Sequence, residues 1–472
     1  MSRQSKYKLL ALAILLIVMA SFPQKIQSNV QTTAIPGFYC YRDARSVDQR
    51  ALQLQSEFPD LVDQNLIGSS FENRPIYALK LTRKNSQENK PRLVLISGLR
   101  ANSFAPVEIN LRFLEFILSS DGLDPTATWL LDFTEIYSVL IANPDGRLTA
   151  ESQAQAEEEI TWENNTNPYC ANATTGVRLT LNFPYAWSAG THDPCDPNYP
   201  GPQAASEPET QAITGFLSSL SQSSQPILLL HLDSAHNFLM TPYLHDPGAP
   251  NPLESELYAL ANKLAYDTPA VPIKGPGTGN PGIYGTLLDF AFGELGIPSL
   301  TYKMGTAQAG GHTTACWYFE EKLLEPSLQA LTRAAAMSAQ PYEFAFGPEI
   351  RLESVSSHAN YLRLDGFADD YSFYKEHVSD YTSVERLSWS LDLPPWHPQA
   401  ELQNFYGLQP IEAYPFRSTF SMVLPYADIA PGKHLLFLQA WDKAAAALSR
   451  PGLVTSVFIT IPNLSYLPLM IK

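Results

Sequence analysis

Residues 93–108, LVLISGLRANSFAPVE, constrain the fold more than any other stretch. Leu93-Val94-Leu95-Ile96 is an unbroken apolar run, as a strand covered on both faces requires. It stops at Ser97-Gly98 and gives way, from Pro106 to Ser119, to apolar residues at helical spacing. Strand, loop and helix in that order predict a parallel strand delivering a loop, the place where an α/β protein carries its chemistry. The loop reads Gly98-Leu99-Arg100-Ala101-Asn102-Ser103.

With 472 residues the chain can bury a large core, and its formal charge of −16 argues against nucleic acid or an anionic membrane as partner. A basic start (Arg3, Lys6, Lys8) precedes an apolar run from Leu9 to Phe22 and polar residues by Gln24. That run is short for a membrane span and fits a secretory signal over residues 1–28, with an uncleaved anchor as the alternative. No other segment approaches membrane length. The expectation is therefore an exported protein, extracellular or at the cell surface, without a transmembrane segment after signal cleavage. Export makes Cys40, Cys170, Cys195 and Cys316 candidate disulfide partners, and the sequence allows three pairings.

Further along, Arg45–Phe58 has helical spacing, and Leu66–Gly68 and Ile76–Leu81 read as strands. Glu135–Ala142 reads as a buried strand entering a turn at Asn143-Pro144-Asp145-Gly146, followed by an acidic, solvated helix face over Glu151–Glu159. Ser206 is expected to cap a helix reaching Leu220. The strand Pro226–Leu232 leads into Asp233-Ser234-Ala235-His236, and Gly275–Tyr284 is a Gly/Pro loop able to cover a cleft. Over roughly residues 38–340 these motifs resemble the zinc carboxypeptidase (carboxypeptidase A-like) family. The resemblance is carried by Cys40-Tyr41-Arg42, Asn143-Pro144-Asp145-Gly146, Gly176-Val177, Asn182-Phe183, Tyr199-Pro200-Gly201-Pro202, Ser206-Glu207-Pro208-Glu209-Thr210 and Ile297-Pro298-Ser299-Leu300-Thr301-Tyr302. It implies an α/β fold for residues 36–340, a mixed sheet flanked by helices. It also implies pairing Cys170 with Cys195 and Cys40 with Cys316.

The positions to which that resemblance assigns chemistry hold other residues. Arg100 and Ser103 stand where the family has a zinc-binding His and Glu, and Asp233 falls on the third ligand, counting back from Pro242. A register shifted by two residues would offer His231 instead. Glu163 replaces an arginine that stabilises the oxyanion, and Thr180 and Leu181 replace an Asn-Arg pair that grips the substrate carboxylate. Lys303 stands in place of the glutamate general base. A guanidinium does not deprotonate, so zinc is expected to be absent, with no cofactor in its place. The cations Arg100 and Lys303 and the anions Asp233 and Glu163 are expected to pair within the vacated site.

Residues 341–472 change to short alternating segments, Ser383–Leu391, Ser418–Leu424, His434–Asp442 and Val454–Ile461, and read as a C-terminal all-β sandwich. It is similar to modules appended to secreted bacterial carboxypeptidases. The apolar tail Tyr466–Lys472 has no assignment. The functional expectation is a secreted carboxypeptidase-like pseudoenzyme that binds a peptide, a cell-wall fragment or a protein partner without cutting it. Two alternatives stand beside it: an active metallocarboxypeptidase with ligands drawn from His231, His236, His245 or His312, and a structural surface protein whose sandwich does the binding.

Overall fold

A two-stranded ribbon, β1 (Ala34–Ile35) and β2 (Phe38–Arg42), leads into helix α1 (Ala44–Glu57), whose first turn is capped by Asp43 accepting from the Ser46 amide. The structure, a computed structural model, describes residues 33–463 except 85–88, 172–174, 188–192, 247, 276–281, 372–373, 375–381 and 444–448. The signal segment, the centre of the Gly/Pro loop and the C-terminal tail read from the sequence lie outside the described residues. The chain continues through β3 (Val62–Ser69), β4 (Pro75–Leu81), β5 (Arg92–Ser97), α2 (Phe104–Ser119), α3 (Pro125–Phe133), β6 (Glu135–Val139) and α4 (Pro144–Gln155). After a long irregular stretch come α5 (Pro208–Ser221), β7 (Ile227–Ser234), β8 (Phe238–Met240), α6 (Glu254–Ala265), β9 (Val271–Ile273), β10 (Ser299–Met304), α7 (Leu324–Met337) and α8 (Pro341–Phe346).

Among the described residues these strands form one eight-stranded mixed sheet in the order β3-β4-β6-β5-β7-β10-β8-β9. Its centre, β6-β5-β7-β10, is parallel. The apolar run Leu93–Ile96 occupies the middle of this parallel block, fully buried on both faces, because helices cover both sides. Ser97, Ser234 and Met304 therefore end at the same edge, and ligands of such sheets bind beyond the strand carboxyl ends.

Three local expectations are corrected. Asn143-Pro144-Asp145-Gly146 does not make a free turn but opens α4, with Asn143 Oδ1 accepting from the Gly146 amide at 3.0 Å and proline in the first turn. Proline's fixed φ serves a helix start as well as a turn. The acidic insert is not wholly solvated, because Glu151 is buried against Arg147 at 2.6 Å, an i,i+4 pair inside α4. Ser206 is not the cap of α5 either. That position is Glu207, while Ser206 Oγ donates to the Glu207 carboxylate at 2.7 Å and accepts from Asn182 Nδ2 at 3.0 Å.

The sandwich comprises β11 (Glu349–Ser357), β12 (Tyr361–Asp369), β13 (Val384–Leu391), β14 (Gln403–Phe405), β15 (Leu408–Ile411), β16 (Tyr414–Pro425), β17 (Gly432–Asp442) and β18 (Thr455–Ile461). They form two four-stranded antiparallel sheets around their own core of Leu364, Leu387, Met422 and Leu436. Alternate side chains of β17 face the α/β layer instead. Phe437 packs 6.1 Å, ring to ring, from Trp129 on α3, and Trp396 lies 5.3 Å from the same indole. Phe437 and Val454 thus belong to the same apolar core as Leu331 and Phe344.

Candidate functional site

The loop after β5 is held by the residue that begins α4. Asn143 Nδ2 donates to Leu99 O at 3.2 Å and to Asn164 O at 3.1 Å, while the Asn143 amide donates to Gly98 O at 3.0 Å. One side chain therefore fixes both the 98–103 loop and the 163–164 segment. Gly98 takes φ +70°, and a Cβ there would meet Leu140 O and Ile141 Cα at 3.0 Å, so the chain turns sharply at a position open only to glycine. The turn aims Arg100 across the sheet edge at β7.

Asp233 receives it. Arg100 Nε donates to Asp233 Oδ1 at 3.2 Å, Ser103 Oγ donates to the same oxygen at 3.1 Å, and Lys303 Nζ lies 3.6 Å from Oδ2. The last contact is dictated by register, since β10 pairs with β7 so that Lys303 sits beside Asp233. The other arm of the Arg100 guanidinium, Nη1, donates to Glu163 Oε2, which also accepts from Arg178 Nη1. His312 closes the group, its Nε2 3.7 Å from Glu163 Oε1 and its Nδ1 2.6 Å from Ser234 O. Ser103 and Ser234 hydroxyls meet at 2.7 Å. Five of the seven positions singled out in the sequence are thus brought into one cluster, in which Arg100, Ser103 and Asp233 are buried and Glu163 and Lys303 partly exposed, and Thr180 and Leu181 line the cavity beside it.

Arg178 was not anticipated. Its signal lay in the sequence: Gly176-Val177-Arg178 stands where the related family reads Gly-Val-Asp, a sign reversal opposite to that at Glu163. Each reversal supplies the other's counter-ion. Three cations and two carboxylates therefore share the site.

Burial sets the protonation states. It would raise the Asp233 carboxyl, but Arg100 and then Lys303 outweigh it and hold the group well below the usual carboxylate range. Burial lowers Lys303, an effect that Asp233 offsets only in part, and it lowers Arg178 and His312 as well. His231, buried one turn of the pleat before Asp233 with Thr301 Oγ1 3.4 Å from its Nδ1, is pushed down to about 4.

The His231 shift has a measurable consequence. Its folded-state value lies below the unfolded one near 6.5, so the unfolded chain binds the extra proton between those values. The contribution is present above pH 6.5 and lost on acidification towards pH 4, about 3 kcal/mol in all. Asp48, Glu209 and Asp370, raised by burial to about 6, 7 and 8, act in the opposite direction. The difference between wild type and His231→Asn isolates the histidine. Urea unfolding at pH 7 and pH 4.5 is expected to show wild type losing more stability than the variant, and parallel pH profiles would contradict the assignment.

Two further candidate histidines, His245 and His236, make contacts of their own. His245 Nδ1 lies 2.7 Å from Asp289 Oδ2, and the ring of His236 lies 6.4 Å from that of His312. Among the described residues no three His, Cys, Asp or Glu side chains converge as a metal-binding group. Disulfides join Cys40 to Cys316 and Cys170 to Cys195. No helix among the described residues is long and apolar enough to cross a membrane.

Known proteins are similar to this chain in sequence and in fold. It is 28% identical over 208 residues to carboxypeptidase B of Canis lupus familiaris, covering 44% of this chain and 48% of that one. It is 28% identical over 230 residues to carboxypeptidase A2 of Rattus norvegicus, covering 48% and 52%. The chain spans about half the length of the curated relatives it matches. In fold it resembles bovine thrombin-activatable fibrinolysis inhibitor, solved in complex with tick carboxypeptidase inhibitor, with a TM-score of 0.54 and 20% identity over 63% of this chain and 97% of that one. Carboxypeptidase A from Helicoverpa armigera gives a TM-score of 0.55 and 20% identity, covering 63% and 73%. The zinc carboxypeptidase family model matches residues 48–329, more than half of the sequence, and on that ground the chain belongs to this family.

Proposed function

We propose that this protein is a non-hydrolytic member of its family, exported from the cell, whose cleft binds a peptide, a cell-wall fragment or a protein partner without cutting it. One observation carries the reading: the Arg100 guanidinium bridges Asp233 and Glu163 at the position to which the family resemblance assigns a zinc ligand. Zinc requires three or more lone-pair donors arranged around it. Of Arg100, Ser103 and Asp233 only the last is an ordinary zinc donor, and its two oxygens face Arg100, Ser103 and Lys303. The residues present do not fit the metal. Lys303 stands where the resemblance assigns the carboxylate base, so that position offers a cation rather than a proton acceptor for metal-bound water.

Retention of the scaffold supports binding over decay. Asn143 donates to Leu99 O, and Asn182 donates to Pro200 O and accepts from the Glu207 amide, so the edge of the cleft is a built, hydrogen-bonded structure. The two disulfides suit an oxidising compartment, in keeping with export.

The reading is tested by incubating the protein with peptides ending in apolar, basic and acidic residues, in buffer with added zinc, and assaying free amino acids. No release above the protein-free control is expected. Release abolished by a chelator would favour the competing reading, an active metallocarboxypeptidase with relocated ligands among His231, His236, His245 and His312.

A further inference from the structure

At one end of the sandwich the two sheets part around a cavity of about 560 Å³. Trp389 on β13 and Gln403 on β14 line one wall, and Leu424, at the end of β16, lines the other with Asp428 and Ile429 of the turn that follows. The loop between β13 and β14 adds Gln399 and Glu401. Leu424 and Ile429 are buried and close the inner end, whereas Gln399, Glu401, Gln403 and Asp428 are exposed at the mouth. Trp389 and Gln403 are paired directly across the strands, so indole and amide stand side by side on one face. The volume falls within the range of about 300 to 1,000 Å³ usual for small-ligand sites.

The loop is fixed without any ligand. Ser390 Oγ donates to Leu393 O at 2.6 Å, Asp392 Oδ1 accepts from the Leu435 amide at 2.9 Å, and Trp396 packs 5.3 Å, ring to ring, from Trp129 of the α/β layer. A wall already ordered spares a ligand the cost of ordering it. The polar groups at the mouth, by contrast, are uncommitted. Among the described residues the side chains of Gln399, Glu401, Gln403 and Asp428 have no hydrogen-bond or ion-pair partner, nor has the Trp389 indole N–H.

These groups select by chemistry. Two carboxylates line the cavity and no lysine or arginine does, so an anion is repelled. A purely apolar body would strip water from four polar side chains without replacing it. A cation would satisfy Glu401 and Asp428 but offers no acceptor to the two amides and the indole N–H. A hydroxyl donates and accepts at once, so a polyol meets carboxylates and amides alike. A pyranose ring adds apolar C–H faces that lie flat on an indole, whose π face is negative.

We propose that this end of the sandwich binds an uncharged saccharide, one pyranose ring stacked on Trp389 and its hydroxyls shared among Gln399, Glu401, Gln403 and Asp428. The site shares no residue with the charge cluster, and the inference does not depend on whether the cleft has lost zinc.

Calorimetric titration uses maltotetraose, cellotetraose and chitotetraose as neutral probes, with tetragalacturonate as the anionic control and trilysine as the cationic one. At least one neutral probe is expected to bind saturably with a Kd below about 1 mM, and both charged controls at least tenfold more weakly. Trp389→Ala is expected to lose at least tenfold in affinity. Trp389 also packs against the sandwich core, so the exposed positions are tested beside it. Gln403→Ala and Asp428→Ala are each expected to lose at least threefold with the thermal midpoint unchanged. The bound probe is expected to shift tryptophan emission in wild type and not in Trp389→Phe. No saturable response to any neutral probe below about 10 mM, or binding of tetragalacturonate or trilysine as tight as that of the neutral probe, would overturn the proposal. Affinity undiminished in Gln403→Ala and Asp428→Ala, or an emission shift that persists in Trp389→Phe, would overturn it too, by placing the saccharide elsewhere on the protein.

Discussion

Asp233→Asn is expected to destabilise the protein by about 3 to 5 kcal/mol, the cost of leaving buried charge without its partner. The substitution is nearly isosteric, so it creates no cavity, and the amide oxygen can still accept from Ser103. Only the charge is lost. The cluster then carries Arg100, Arg178 and Lys303 against Glu163 alone, an excess of two in a site where Asp233 is 3% exposed. Lys303→Gln provides the contrast. It removes a charge from the same pair, yet it brings the cluster to two against two, and is expected to change stability by less than about 1 kcal/mol. Urea unfolding of the two variants measures this asymmetry. Equal losses would show that the charges act as independent pairs, and the cation excess would then have no energetic meaning.

Replacing Cys40 and Cys316 together by alanine is expected to cost about 5 kcal/mol. The bridge closes a loop of 276 residues, and in the chain-entropy account stabilisation grows with the logarithm of that length. It ties β2 to the segment before α7, where Tyr41 also donates its hydroxyl to Thr314 O at 2.7 Å. The Cys170–Cys195 bridge spans 25 residues, so its removal is expected to cost about 2 kcal/mol less. Thermal unfolding of the two alanine pairs gives the order. A larger loss for the shorter loop would place the stabilisation in native contacts rather than in the unfolded chain.

What could be read from the sequence followed the range of the interactions. The run Leu93–Ile96 located a central strand because burial on both faces leaves a purely local mark, and the helix after it was legible from apolar spacing. Asn143 was misread because Pro-Asp-Gly satisfies a turn and a helix start equally, and the decision belongs to the contacts Asn143 makes with Leu99 and Asn164. Strands β11 and β12 were not read. Their segments, GPEIRLESVSS and NYLRLDGFADD, place polar residues on the face of a sheet whose other side alone is buried. Arg100, Asp233, Glu163 and Lys303 were identified from the resemblance, but Arg178 was not, because an arginine's partner is chosen by the fold and not by its neighbours in sequence. A sign reversal at Glu163 demanded a second one, and looking for it would have found Arg178.

The central claim is that the charge cluster at the ends of β5, β7 and β10 has taken the place of zinc. Elemental analysis of protein purified from zinc-supplemented culture tests it most directly, with Arg100→His/Ser103→Glu/Asp233→His as the comparison. The account predicts far less than one zinc per wild-type chain and close to one per chain in the triple variant. Near-stoichiometric zinc in the wild type would contradict it.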